Sequence, residues 1–308
     1  MGCGTREEFM GMNWLKAKDG FIFDEAGEKV QLRGMSSHGI AWYPHFYNAG
    51  SLKTLKEDWK ISLFRIAMYT EEWGGYISTP DKNKTKVNEL VQTAIDLGLY
   101  VIIDWHILRD GNPRTHEKEA AIFFDEMSKK WGSYPNVIYE ICNEPNGWVN
   151  WYNGIKDYAN MIIPVIRKNA PKSLVIVGTG NWSQNIHEAA NEPLAFENIA
   201  YALHFYAGTH GDWLMNRISE AKAKNATIFV SEWGVSQANG SGGVYKAESQ
   251  KWLDFLEKEK ISWANWSLAP KNETSAALRE NASPIGDWDE ADLTESGRWV
   301  RNYLRSKE

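Results

Sequence analysis

The sequence predicts an α/β protein, a single closed (β/α)8 barrel of the TIM type. Three observations carry that reading. Eight short apolar segments recur along the 308 residues. Helical patterns separate them. The chemically active side chains collect where the segments end, which in such barrels is the face that carries chemistry.

The segments are 31–38, 62–69, 100–106, 137–144, 173–179, 199–206, 227–233 and 261–267. They are rich in Ile and Val and apolar without clean alternation, the pattern of strands buried on both faces of a parallel sheet. Between them, Val87, Leu90, Val91, Ala94 and Ile95 fall at helical spacing, with Gly98 as the residue after the cap. Ile155, Ala159, Ile162, Ile163 and Ile166 repeat the pattern before Pro171, as do Trp252, Phe255 and Leu256, and finally Trp299, Val300, Tyr303 and Leu304. Strands alternating with helices call for right-handed crossovers, and eight such units close a barrel. Phe21 to Gln31 reads as a β-hairpin turning at Glu25–Gly27, placed as a plug under the barrel floor. Residues 13–308 are expected to form one catalytic domain, with 1–12 a tag or linker remnant.

Composition narrows the function. A hydrophobic share of 43% supports a large core, and a net charge of −6 argues against nucleic acid and anionic membranes as partners. No apolar run approaches the roughly 18 residues needed to span a bilayer. Sixteen Trp and thirteen Tyr lean towards carbohydrate, because flat rings stack on the C–H faces of sugars. Of the two cysteines, Cys142 sits in an apolar run and is expected to act as a small buried hydrophobe. Cys3, in Cys-Gly-Thr, would also suit the acylated end of a bacterial lipoprotein. A disulfide between the two is not expected.

The segment ends are polar or aromatic: His38, Arg65 and Tyr69, Asp104-Trp105-His106, Asn143-Glu144-Pro145, His204-Phe205-Tyr206, Glu232-Trp233-Gly234 and Trp266. Charges at the ends of apolar strands cost free energy unless paired or functional. Seven such ends on one rim exceed what packing explains. Glu144 and Glu232 end the fourth and seventh strands, which face each other across an eight-stranded barrel. Two opposed carboxyls are what glycoside hydrolysis needs, one to protonate the leaving oxygen and one to meet the oxocarbenium-like carbon. A separation of about 5 Å gives retention, and roughly 6.5–9.5 Å gives inversion.

The strings LRGMSSHG, FRIAMY, VIIDWH, YEICNEPNG, ALHFYAGTHG, FVSEWG and WANWSLAPKNETSAAL resemble bacterial endoglucanases of glycoside hydrolase family 5, from about Val30 to Leu304. The resemblance implies a retaining endo-β-1,4-glucanase, or cellulase, with Glu144 as acid/base and Glu232 as nucleophile. It implies that Arg65 keeps Glu232 charged, that Asn143 bonds the sugar 2-hydroxyl, that His204 orients Glu144 and that the Tyr206 hydroxyl touches Glu232. His106 and Trp266 would line the subsite where the sugar distorts. His38, Trp42, Tyr69, Trp182, Lys271 and Glu273 resemble residues that contact glucosyl units on the non-reducing side. No cofactor or metal is implied. The expected partner is a β-1,4-glucan or cello-oligosaccharide, met outside the cell by a secreted monomer, since polymeric cellulose cannot enter.

Other readings stay open from residues alone. A β-mannanase or xylanase would share the barrel and both glutamates. A metal-dependent hydrolase is motivated by His38, His106 and His204 on one rim, but lacks the His-x-His and strand-eight Asp such sites use. A non-catalytic sugar-binding barrel would be expected to have lost a glutamate, and neither is lost.

Overall fold

The structure, a computed structural model, describes residues 11–307. The readings of Cys3 and of most of the 1–12 segment fall outside the described residues. A hairpin of β1 (Lys16–Lys18) and β2 (Phe21–Phe23) comes first. Eight parallel strands then close the barrel: β3 (Arg33–Ser37), β4 (Leu63–Tyr69), β5 (Tyr100–His106), β6 (Val137–Glu140), β7 (Val175–Val177), β8 (Ile199–Tyr206), β9 (Ile228–Gly234) and β10 (Trp263–Leu268). The Trp266–Ser267 peptide bond is cis. The crossover helices are α1 (Ala49–Glu57), α2 (Pro80–Asp96), α3 (Glu117–Trp131), α4 (Lys156–Asn169), the short α5 (Gly180–Ser183) and α6 (Ile186–Asn191), α7 (Asp212–Lys222) and α8 (Lys246–Glu259), with α9 (Glu295–Arg305) closing the ring. Each predicted strand is present.

Local chemistry explains the elements. In α2, Pro80 occupies the first turn, where its missing N–H costs nothing. The buried stripe is Val87, Leu90, Val91 and Ala94, and Gly98 follows the cap at φ +62°. That left-handed conformation favours glycine. The α1 cap is reciprocal: the Asn48 side chain accepts from Ser51 N–H while the Ser51 hydroxyl accepts from Asn48 N–H.

The predicted hairpin is displaced by one strand. Its ladder joins β1 to β2 through Asp19–Gly20, both at positive φ. The expected Glu25–Gly27 turn forms as well, closed by Gly27 N–H to Asp24 O, but beyond it only Phe23 and Lys29 bridge. The Asp24 carboxylate accepts from Ala26 and Glu28 N–H and holds that turn tight against the ladder. Its role as floor plug holds. Leu15, Ala17 and Ile22 pack under the barrel against Leu63, Ile102, Ile138, Ile176 and Phe229. Met12 already touches this cluster, and Asn198 ties the hairpin down through Ala17 N–H and Leu15 O. Burying one such Ile or Leu side chain is worth about 1.5–3 kcal/mol.

Strand alternation sends the other face outward, where Phe64, Ile66, Ile103 and Tyr139 meet the helices. Cys142 belongs to that outer layer as a free, buried thiol whose ionisation burial pushes up. A thiol is reactive as the thiolate. Cys142 should therefore take no label from an alkylating reagent in the native protein and react fully after unfolding, as peptide mapping would report.

Candidate active site

The inward positions on β4 read Leu63, Arg65, Ala67 and Tyr69, apolar at the floor and functional at the mouth. β5 repeats this with Ile102, Asp104 and His106. Two irregularities then aim the glutamates. The ladder of β6 stops at Glu140, short of the predicted residue 144. Ile141 and Cys142 both face outward, and this step out of alternation turns Asn143 and Glu144 inward. In β9, Ala202 pairs with Phe229 and then His204 with Glu232, which leaves one extra residue in β9. The bulge lets the neighbours Ser231 and Glu232 both face the interior. Gly234 follows because a Cβ there would lie 2.4 Å from the Tyr206 ring.

Arg65 is fully buried and meets Asp104 at 3.0 Å, Glu140 at 2.7 Å and Glu232 at 3.0 Å, while donating to Asn143 Oδ1 at 2.6 Å. Burial works against its charge, but the three carboxylates outweigh it and hold the guanidinium protonated. Glu232 receives Arg65 on Oε2 and the Tyr206 hydroxyl on Oε1, at 2.8 Å. Burial and the Glu232 carboxylate push the Tyr206 phenol well above its ordinary value, so it stays a donor.

His204 Nδ1 lies 2.9 Å from Glu144 Oε1. Burial would lower the ring, but hydrogen bonding to the Glu140 and Glu144 side outweighs it and pushes His204 up to about 9. His106 goes the other way. Burial, with help from Arg65, takes it down to about 3, leaving a neutral ring with Nδ1 on Asp104 at 2.5 Å and Nε2 near Asn143 Nδ2 at 3.3 Å.

One oxygen of Glu144, one of Glu232 and a nitrogen of His204 all lie within 4.8 Å of one another. They open onto a cleft of about 450 Å³. Every residue predicted for the site lines it except Arg65, Asn143 and Trp42. Arg65 and Asn143 sit beneath it. Asn143 Nδ2 is shared between Ile107 O and His106, so a sugar hydroxyl would compete with those contacts. Trp42 stands behind Tyr69, stacked at 4.5 Å, with Nε1 donating to Trp73 O.

His38, Tyr69, Trp266, Lys271 and Glu273 form one wall. His38 and Trp266 ring centres are 4.7 Å apart, and Lys271 Nζ sits 2.6 Å from Glu273 and 3.3 Å from His38 Nε2. Lys271 and Glu273 thus pair inside the cleft. Burial and Lys271 lower His38, which accepts Gly39 N–H on Nδ1 as a neutral ring. Trp182 does not join this wall. It follows β7, which stands opposite β3 in the barrel order, and its N–H donates to Pro145 O beside Glu144. Its ring is 45% exposed, available to a ligand. His38 accepts from Gly39 N–H, His106 Nδ1 sits on Asp104 and His204 Nδ1 sits on Glu144; among the described residues His204 groups with Glu144 and Glu232 and not with the other two histidines.

Three buried groups escaped the sequence reading as site residues: Glu140, Ser231 and, as the partner of His106, Asp104. The signal for Glu140 was present. It alternates with Ile138 on the inward face of a strand with no other charge before Glu144, where an unpaired carboxylate would be very costly.

Fold and site together define a (β/α)8 barrel with paired glutamates at the ends of its fourth and seventh strands. The sequence model of the cellulase (glycosyl hydrolase family 5) family matches residues 23–272, and the chain belongs to that family. It is 53% identical over 290 residues to an endoglucanase of Clostridium saccharobutylicum, covering 94% of this chain and 64% of that protein. It is 56% identical over 280 residues to endoglucanase A of Evansella cellulosilytica, covering 91% and 57%. The chain thus spans less than two thirds of the length of either relative. Among solved structures, the catalytic domain of Thermobifida fusca endoglucanase Cel5A superposes with a TM-score of 0.92 at 37% identity, covering 97% of this chain and 99% of that one. A variant of the same domain has been solved in complex with cellotetraose.

Proposed function

We propose that this chain is a retaining endo-β-1,4-glucanase with Glu232 as nucleophile and Glu144 as acid/base. The observation that carries the reading is the approach of the two carboxylates to within 4.8 Å across the cleft. A nearest approach of this order fits a carboxylate placed for direct attack on the anomeric carbon. Supporting it, the relatives named above are endoglucanases, and cellotetraose is the ligand seen with the Cel5A domain.

In the first step Glu232 attacks the anomeric carbon while Glu144 gives its proton to the departing oxygen. In the second, Glu144 takes a proton from water, which displaces Glu232. Arg65 and Tyr206 hold Glu232 oriented, and His204 holds Glu144. Because Glu144 must protonate the leaving oxygen, the leaving half of the chain belongs on its side of the cleft. Trp182, also on that side, is therefore read as a platform for the reducing-side sugar, a reassignment from the non-reducing group. Trp182→Ala should raise KM for cello-oligosaccharides by roughly tenfold, about 1.4 kcal/mol of binding, with a smaller effect on kcat. Steady-state kinetics on cellopentaose would measure this. A substrate of this size would be met outside the cell.

The reading is tested by reducing-end release from carboxymethylcellulose, mixed-linkage β-glucan, galactomannan and xylan, with Glu232→Ala as blank. Fast release from the two glucans alone is expected. Dominant release from mannan or xylan would overturn the glucan assignment while keeping both glutamates.

A further inference from the structure

Glu140 touches no atom that reacts in the scheme above, yet it is a fully buried carboxylate between the two halves of the site. Its Oε2 accepts from Arg65 Nε at 2.7 Å, and its Oε1 accepts the Ser231 hydroxyl at 2.6 Å. Burial alone would raise it, but Arg65 and His204 outweigh burial and hold it down at about 2. An ionised carboxylate can only accept, so the single Ser231 proton is directed at Glu140. His204 Nε2 lies 2.9 Å from that same hydroxyl oxygen and must be the donor in that contact. The opposite ring nitrogen, Nδ1, faces Glu144. The β9 bulge that lets Ser231 face inward beside Glu232 makes this chain of contacts geometrically available.

On the reading of Glu144 as acid/base, we propose that Glu140 and Ser231 are positioning residues that keep His204 protonated on both ring nitrogens, so that Nδ1–H stabilises the Glu144 carboxylate as its proton leaves. In the bond-breaking step the glycosidic C–O bond breaks, the C1–O bond to Glu232 forms, and the proton passes from Glu144 to the leaving oxygen. His204 keeps both protons and strengthens its bond to the new carboxylate. Water restores the Glu144 proton in the second step. The charged and titratable groups around the ring are Arg65 from β4, Asp104 and His106 from β5, Glu140 and Glu144 from the β6 end and Glu232 from β9. Burial pushes Asp104 well up, but Glu140 and Glu232 still outnumber the one guanidinium that they share. A cationic His204 offsets the excess.

Ser231→Ala removes the bridging hydroxyl and leaves the Arg65–Glu140 pair and the longer, 3.8 Å His204 Nε2–Glu140 Oε1 approach in place, so it is the cleaner variant. With aryl cellobiosides, kcat/KM should fall by roughly tenfold for a phenol leaving group and stay within about twofold for a dinitrophenyl one, which needs little acid assistance. Imidazole nitrogen NMR should show His204 losing its second proton at lower pH than in the wild type. Ser231→Thr, which keeps the hydroxyl, should restore both readouts. Equal losses on both leaving groups, or an unmoved His204 titration, would overturn the relay. Glu144→Ala run alongside separates the two claims. If it shows no leaving-group dependence, the acid/base reading falls. If it shows that dependence and Ser231→Ala does not, only the relay falls.

Discussion

Glu232→Ala is expected to lower turnover of cello-oligosaccharides by about four orders of magnitude or more, the scale on which a lost nucleophile registers in other hydrolases. With Glu232 as the proposed nucleophile the loss is chemical, because its carboxylate is gone while Glu144 and the wall of the cleft remain. Alanine also opens space beside the anomeric carbon. Azide placed there should restore part of the rate and yield the inverted α-glycosyl azide, since attack then occurs once instead of twice. Rescue of Glu144→Ala to that inverted product would reverse the two roles.

Arg65→Leu is the second large effect, and it acts on stability as well as rate. The guanidinium meets Asp104, Glu140 and Glu232 with no exposure to solvent, and among the described residues no other cation is in contact with all three. Removing one partner of a buried ion pair costs about 3–5 kcal/mol, because the other charge is left uncompensated. Here Glu140 and Glu232 lose the same partner, with Asp104 pushed up by burial beside them, so the cost should fall within that range. Urea unfolding should show the midpoint moving down accordingly, and turnover should fall with it. Arg65→Lys should recover only part of both, since an ammonium cannot reproduce the fork that reaches Glu140, Glu232 and Asn143 together.

The barrel was legible because its signal repeats. Eight apolar segments and their helical intervals fix strand order once crossovers are right-handed, and a buried parallel sheet leaves little freedom in register. The rim was legible for a related reason: polar residues at the ends of apolar strands need a cause. Departures from alternation were not legible. Nothing in Val230-Ser231-Glu232 announces a bulge, so Ser231 drew no reading and its contact with Glu140 went unseen. The hairpin slipped by one strand because two adjacent turns, Asp19–Gly20 and the one at Glu25–Gly27, carry equally good turn chemistry. Trp182 was grouped with the non-reducing-side residues because sequence places a residue after a strand; barrel closure, which sets β7 opposite β3, is what supports the reassignment proposed for it.

The account turns on Glu232 forming a covalent bond to sugar. A dinitrophenyl cellobioside carrying fluorine at the 2-position reacts with a retaining nucleophile and then turns over slowly, so the labelled peptide can be mapped by mass spectrometry. The account predicts one sugar adduct per chain on the peptide that contains Glu232, formed with a matching burst of dinitrophenol. A label on Glu144, or hydrolysis with no adduct on any residue, would contradict it.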